Sequence, residues 1–186
     1  MRKKIELGSK RVLLRTLRPG DVNSDYVDGL NDPEVNRYLG AGNSRNTAKS
    51  VKAYVEKDLR SADSVLFGIF PKKEKKLVGT LRIHGISRYH YSCSVGICIF
   101  NKDHWGKGLA YEALKRVVVY LFVELGLHYV EAGCFKANKA SVILFQKAGF
   151  KVQARYRDKY RHGDRFREAV FFSLVNRRFD TRALNK

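Results

Sequence analysis

The sequence predicts one α/β domain, in the α+β sense: a mixed, mostly antiparallel sheet flanked by helices, spanning residues 1–186. Two observations carry this. β-rich runs are joined by turn residues at hairpin spacing, and one long stretch between them repeats its apolar residues at helical spacing. A chain of 186 residues, 44% hydrophobic and 12% aromatic with only 3 prolines, is long enough to bury one core without disulfides or metal.

Residues 11–17 have strand character, and Arg18-Pro19-Gly20-Asp21 supplies turn and helix-start chemistry. A short helix follows at 26–30. Asp32 then reads as an N-cap with Pro33 in the first helical position, and 51–59 is a further amphipathic helix. Together these should cover one edge of the sheet. Residues 64–70 and 77–86 form a hairpin around the charged tip Pro71-Lys72-Lys73-Glu74-Lys75-Lys76, and 91–100 makes a third strand. The end of that strand, Gly96-Ile97-Cys98-Ile99-Phe100, is nearly all apolar, which predicts burial on both faces. In 109–125, Leu109, Ala113, Leu114, Val117, Leu121 and Leu125 recur every three or four residues, predicting one uninterrupted helix stopped by Gly126. Strand 129–135, helix 140–147 and a hairpin of 152–161 with 166–175 around His162-Gly163-Asp164 complete the chain.

Lys and Arg number 37 against 18 Asp and Glu, a formal charge of +19, so anionic partners are favoured. The same charge supports weak, non-specific RNA binding. The basic start Met1-Arg2-Lys3-Lys4 lacks the apolar run of a signal peptide or membrane anchor. The expectation is a cytoplasmic protein without a membrane partner, monomer or homodimer. Cys93, Cys98 and Cys134 are odd in number and lack ligand spacing, so they read as reduced packing residues and no metal is expected.

Between the third strand and the long helix lies Trp105-Gly106-Lys107-Gly108. A glycine turn entering a helix aims unpaired backbone N–H groups and the positive dipole end at one spot, a place for an anion. The pattern is neither G-x-x-x-x-G-K-[ST] nor a dinucleotide fingerprint, whose third glycine would fall at Tyr111.

Trp105-Gly106-Lys107-Gly108-Leu109-Ala110-Tyr111-Glu112-Ala113-Leu114 resembles the coenzyme A turn of the GNAT N-acetyltransferase superfamily, in its ribosomal-protein N-terminal acetyltransferase-like branch. Trp105, Gly108 and Ala110 take the three places of Q/R-x-x-G-x-G/A. Asn138-Lys139-Ala140-Ser141, continuing through Phe145 to Lys147-Ala148-Gly149-Phe150, resembles a second element of that family, N-x-x-S-x-x-x-x-x-K-x-G-F. Similarity extends through 31–39, the hairpin 67–81 and the tail 156–174, most of the chain.

The resemblance implies a GNAT fold whose two central strands, 91–100 and 129–135, splay to admit the pantetheine arm of acetyl-CoA. Backbone groups of Ile97, Cys98 and Ile99 would bond that arm, with Trp105, Gly106, Lys107, Gly108, Leu109, Ala110, Tyr111, Asn138 and Phe145 completing the cofactor site. Ser141 would protonate the departing thiolate, with Asn138 beside it. Arg157, Tyr160 and Arg165 would stand near the acceptor entrance, and Glu168 where relatives tend to have Asp. The acidic residue that relatives carry on the central strand, two places before Gly96, is here Ser94, and His84 on the neighbouring strand is the replacement candidate. Simple helix capping accounts equally for Asn138 and Ser141.

Ser94 has a chemical implication. A lysine amine of pKa about 10.4 is neutral to roughly one part in 2,500 at pH 7, whereas an α-amine near 7.7 to 8.0 is neutral at about the ten-percent level. The expected activity is therefore acetyl transfer to a low-pKa primary amine, an amino sugar or a protein N-terminus. The competing readings are a basic RNA- or ribosome-binding module and a catalytically inactive acetyl-CoA-binding protein.

Overall fold

The structure, a computed structural model, describes residues 4–40 and 44–181; the basic start of the chain, residues 1–3, lies outside them. Strands β1 (Glu6–Gly8), β2 (Val12–Thr16), β3 (Val65–Pro71), β4 (Gly79–Ser87) and β5 (Ser92–Ile99) run antiparallel to one another in chain order. Strand β6 (Tyr129–Phe135) joins β5 in parallel, and the hairpin β7 (Lys151–His162) and β8 (Arg165–Val175) attaches through β8. The result is one eight-stranded sheet of order β1-β2-β3-β4-β5-β6-β8-β7, mixed and mostly antiparallel as predicted.

Helices cover both faces. On one lie α1 (Ser24–Asn31), α2 (Pro33–Asn36) and α3 (Ala48–Arg60), whose Tyr26, Leu30, Val51 and Val55 pack on Leu66, Phe70 and Phe100. Their starts are written in polar residues. Asn23 accepts from the Tyr26 N–H at 3.0 Å, and Asp32 from the Glu34 and Val35 N–H groups at 2.8 and 3.3 Å, with Pro33 at the first helical position. Thr47 and Ser50 form a reciprocal cap on α3. On the other face, α4 (Leu109–Val119) and α5 (Lys139–Lys147) bury Leu114, Val117 and Phe145 against Phe67, Leu81, Val130 and Phe172.

Two expectations need correction. The helix predicted over 109–125 is regular only to Val119; Tyr120–Glu124 is a π-helical turn, closed by the Leu125 N–H on the Tyr120 carbonyl at 3.0 Å, before Gly126 ends it at φ +64°. Apolar spacing does not distinguish the two closures. The far end of β5 is not buried on both faces: Gly96 is exposed and Ile97, Cys98 and Ile99 are half-buried. The physical reason lies in its neighbour. Strand β6 pairs with β5 only at Ser92↔Tyr129, Cys93↔Val130 and Ser94↔Glu131, and beyond that point the two part.

Candidate active site

The parting of β5 and β6 opens a wedge in the middle of the sheet. Its apex is the Ser94–Glu131 pair, and its mouth faces the turn that leads from β5 into α4. Along the inner edge of β5, the backbone from Val95 to Ile99 has no ladder partner on β6 among the described residues. The wedge therefore offers hydrogen-bonding backbone to an extended ligand.

At the mouth, Gly106 and Gly108 both sit at positive φ, +71° and +77°, a region that side-chain-bearing residues rarely adopt. Those angles fold the backbone so that the N–H groups of Gly106 through Tyr111 find no protein acceptor among the described residues; the first helical bond is Glu112 N–H to the Gly108 carbonyl at 3.1 Å. An array of unpaired donors at the positive end of an eleven-residue helix is a site for phosphate oxygens.

Two sets of contacts hold the turn. The Trp105 indole N–H donates to the Ile99 carbonyl at 2.8 Å, tying the turn to the end of β5. On the other side, Glu112 in the first turn of α4 accepts the Arg11 backbone N–H, the Ser9 hydroxyl at 2.7 Å and the Arg11 guanidinium at 2.7 Å, while Arg11 Nη1 donates to the Lys107 carbonyl at 3.0 Å. Burial alone would raise the Glu112 carboxyl pKa, but these donors outweigh it and hold it at about 2. Beside this clamp is a cleft lined by Lys10, Arg11, Tyr111, Glu112 and Lys115. Sequence reasoning missed the clamp because 101 residues separate Arg11 from Glu112.

Trp105→Phe keeps an aromatic ring and deletes the indole bond. The expected result is roughly tenfold weaker binding of the turn's anion, equivalent to about 1.4 kcal/mol, read by calorimetry. Thermal stability should barely move, since Trp105 is 40% exposed.

The other predicted site residues divide into several groups. Gly106, Lys107, Gly108, Leu109, Ala110 and Tyr111 form the donor array, although the Leu109 side chain itself is buried in the core. Ile97, Cys98 and Ile99 line the wedge. Asn138 caps α5, its Oδ1 accepting the Ser141 N–H at 3.2 Å; Ser141 is half-buried in the first turn of α5. Phe145 lies elsewhere: it is 3% exposed and packs on Phe150 and Phe172, with ring centroids 5.5 Å apart in each pair, so it builds core and presents no surface to a cofactor. Burial raises the thiol pKa of Cys98 to about 12 and of Cys134 to about 11, and burial with Glu131 nearby raises Cys93 to about 12. All three are free and protonated at neutral pH.

The sheet face under α1–α3 continues past the wedge without a helical cover. His84 and Ser94 are paired on it, and desolvation, then the Arg82 charge, pushes the His84 pKa below its ordinary value. Arg82 in turn donates to the buried Asp58 at 2.9 Å, which also accepts Ser64 Oγ at 2.7 Å. Beyond the wedge, Phe135 packs on Tyr160 at 5.2 Å and Tyr156 on Phe171 at 5.3 Å between ring centroids. Tyr38, just after α2, reaches across to Phe135 and His162 at 5.6 and 6.1 Å, so the helical cover and the tail hairpin meet over the mouth. Arg165 and Arg167 share that face by register with His162 and Tyr160. Glu168 points to the opposite face and pairs with Lys136 at 2.7 Å.

Residues 11–151 match the family model of the acetyltransferase (GNAT) domain. The chain belongs to the GNAT acetyltransferases. Among its GNAT relatives is the uncharacterized N-acetyltransferase YoaA of Bacillus subtilis, 30% identical over 180 residues, which cover 92% of this chain and 97% of that one. A ribosomal protein uS5-alanine N-acetyltransferase of Escherichia coli is 27% identical over 118 residues, 62% of this chain and 60% of that one. In fold, this GNAT domain is similar to spermidine N-acetyltransferase from Vibrio cholerae, solved with CoA and spermine, at a TM-score of 0.80 and 20% identity over 90% of this chain and 96% of that one. The protein is thus an N-acetyltransferase of the GNAT family. No described helix is long and apolar enough to cross a membrane.

Proposed function

We propose that this GNAT enzyme acetylates the α-amine of a polypeptide N-terminus, using acetyl-CoA bound along the wedge. The observation that carries the cofactor half is the unpaired N–H array of residues 106–111 at the mouth of the β5–β6 splay. When bound, acetyl-CoA supplies an activated acetyl group as a thioester. Gly106 through Tyr111 hold its diphosphate through backbone donors, and Lys10 and Lys115 in the adjacent cleft add positive charge for its remaining phosphate. The free edge of β5 from Val95 to Ile99, apart from the Ile99 carbonyl that Trp105 occupies, would bond the amides of the arm, and one of its N–H groups would donate to the oxygen on which charge develops. To Ser141, in the first turn of α5, we assign the return of a proton to the leaving sulfur.

The acceptor half rests on the uncovered face beyond the wedge. Phe135, Tyr156, Tyr160 and Phe171 make an aromatic floor, edged by Arg165 and Arg167, with Tyr38 over its Phe135 end and Tyr156 50% exposed at the other. An extended chain fits such a surface, with its terminal amine entering beneath Tyr38. Ser94, in place of a carboxylate on β5, favours an amine that is already partly neutral. The difference of about 2.5 pKa units between α- and ε-amines gives a several-hundredfold difference in neutral fraction at pH 7.

The test is calorimetry with acetyl-CoA, followed by initial rates at pH 7 on a peptide with a free N-terminus, the same peptide N-blocked but carrying lysine, an amino sugar and spermidine. Acetyl-CoA binding with preferred turnover of the free N-terminus is expected, by about a hundredfold over the lysine peptide. Preferred turnover of the lysine side chain would overturn the acceptor reading, and absence of acetyl-CoA binding would overturn the whole.

A further inference from the structure

We infer that Glu131 is the group that takes the proton from the attacking amine, an assignment that rests on the wedge being the acetyl-transfer site. The register places a row of side chains across the sheet at the apex. His84 on β4 pairs with Ser94 on β5, Ser94 with Glu131 on β6, Glu131 with Ser173 on β8, and Ser173 with Lys151 on β7. Residues paired across neighbouring strands project from the same face. That face is the acceptor side, because the alternating residues Cys93, Val95, Val130 and Ala132 are buried in the core with α4 and α5.

Within this row only Ser94 and Glu131 border the wedge itself. Ser94 offers a hydroxyl, which is no base at neutral pH. His84 lies one strand further away, about 5 Å from Ser94 and about 10 Å from Glu131 at ordinary strand spacing. Glu131 is exposed and has no ion-pair or hydrogen-bond partner among the described residues, although the protein carries about twice as many basic as acidic side chains. Its carboxylate is therefore free to accept a proton where β5 provides none. On its face Arg82, paired with Asp58 of α3, and His84 lie on β4 and Lys151 on β7, each strand two away, while Arg165 and Arg167 lie further along the adjacent β8; the Cys93 thiol lies on the opposite face and is protonated.

The proton balance is simple. The neutral amine forms the N–C bond, the C–S bond breaks, and its electrons leave with the sulfur as thiolate, which takes a proton from water, directly or relayed through the Ser141 hydroxyl, which regains its own proton from that water. As the N–C bond forms, the nitrogen becomes cationic and its surplus proton acidic. That proton passes to Glu131, directly or through one water at the Ser94 hydroxyl, and then to solvent at the exposed carboxylate. A solvated carboxylate is too weak a base to deprotonate an ammonium beforehand, which agrees with an acceptor of low pKa.

Glu131→Gln, Glu131→Asp and the double variant Glu131→Gln with Ser94→Glu are compared with the unaltered enzyme, using whichever amine of the panel above that enzyme turns over fastest. For Glu131→Gln we expect an unchanged Kd for acetyl-CoA, an unchanged KM and a kcat about a hundredfold lower, with the deficit shrinking as pH rises and hydroxide replaces the carboxylate. Glu131→Asp should retain part of the rate. In the double variant, Ser94→Glu should restore activity lost through Glu131→Gln by returning a carboxylate from the adjacent strand. A kcat within twofold of the unaltered enzyme, or equal losses in acetyl-CoA affinity and rate without rescue, overturns the assignment. If the fastest acceptor is a lysine or polyamine amine, the acceptor reading falls while the comparison of kcat values still decides the role of Glu131.

Discussion

Gly108→Asp should weaken acetyl-CoA binding at least a hundredfold in calorimetry while leaving the domain folded. Gly108 caps α4 in the left-handed region, φ +77° and ψ 7°, and a Cβ built there meets only Arg11 Nη2, at 3.3 Å, the far end of a flexible side chain. Asp tolerates this conformation better than most residues, so the backbone penalty should be about 1 kcal/mol and the melting curve should shift modestly. The introduced carboxylate is the damaging part. It competes for the unpaired N–H groups and repels a diphosphate. Hydrogen bonds to charged groups contribute about 1.5 to 3 kcal/mol each, so losing one or two corresponds to a change from roughly tenfold to roughly twenty-thousandfold. Gly108→Ala, which adds a Cβ without charge, should keep most of the affinity; an equally severe loss there would assign the effect to backbone geometry.

Glu112→Gln should produce the second large effect, this time on stability. Its carboxyl pKa is held at about 2 against an ordinary 4.5, and the side chain is 16% exposed. A depressed carboxyl stabilises the folded state above the unfolded pKa, and the contribution is lost as pH falls through the folded one. The window is therefore about pH 4.5 down to 2. The shift corresponds to at most roughly 3 kcal/mol, and to about 2 kcal/mol after allowing for solvent screening. Chemical denaturation at pH 7 should show Glu112→Gln less stable by about 2 kcal/mol, with the difference from the unaltered protein vanishing by about pH 2. A constant difference across that range would place the stabilisation elsewhere. Because Arg11 also holds the Lys107 carbonyl, the same substitution should loosen the turn and weaken acetyl-CoA binding.

What the sequence reveals and what it hides follow a common physical line. Local signals translate directly: Asp32-Pro33 starts α2, Gly126 ends the long helix at positive φ, and Gly163 at φ +64° turns the last hairpin. These devices act within a few residues, so their chemistry is complete in the chain. Features made by distant residues are not legible in this way. Strand β1 has only three residues and carries too little pattern to detect; the Arg11–Glu112 clamp joins segments that only the fold brings together. Phe145 is a third case, since its place in a motif says nothing of which helix face it occupies, and packing sends it to the core. The exposure of Gly96 and the half-burial of Ile97 to Ile99 depend on where β6 leaves β5, a property of two strands at once. Glu131 is unremarkable in sequence for the same reason, because its neighbours Ser94 and Ser173 are supplied by register.

The brief pairing of β5 with β6 means that the molecule carries a strand edge in its interior. Edges at the rim of a sheet invite another chain and are usually short, charged or covered. Here an edge faces a gap within the sheet itself, and on the function proposed above the missing strand is a place left for the arm of acetyl-CoA. On that view the two halves of the sheet, β1 to β5 and β6 to β8, are stitched by three residue pairs until such a molecule lies between them. Loading the enzyme then completes its architecture as well as supplying its reagent.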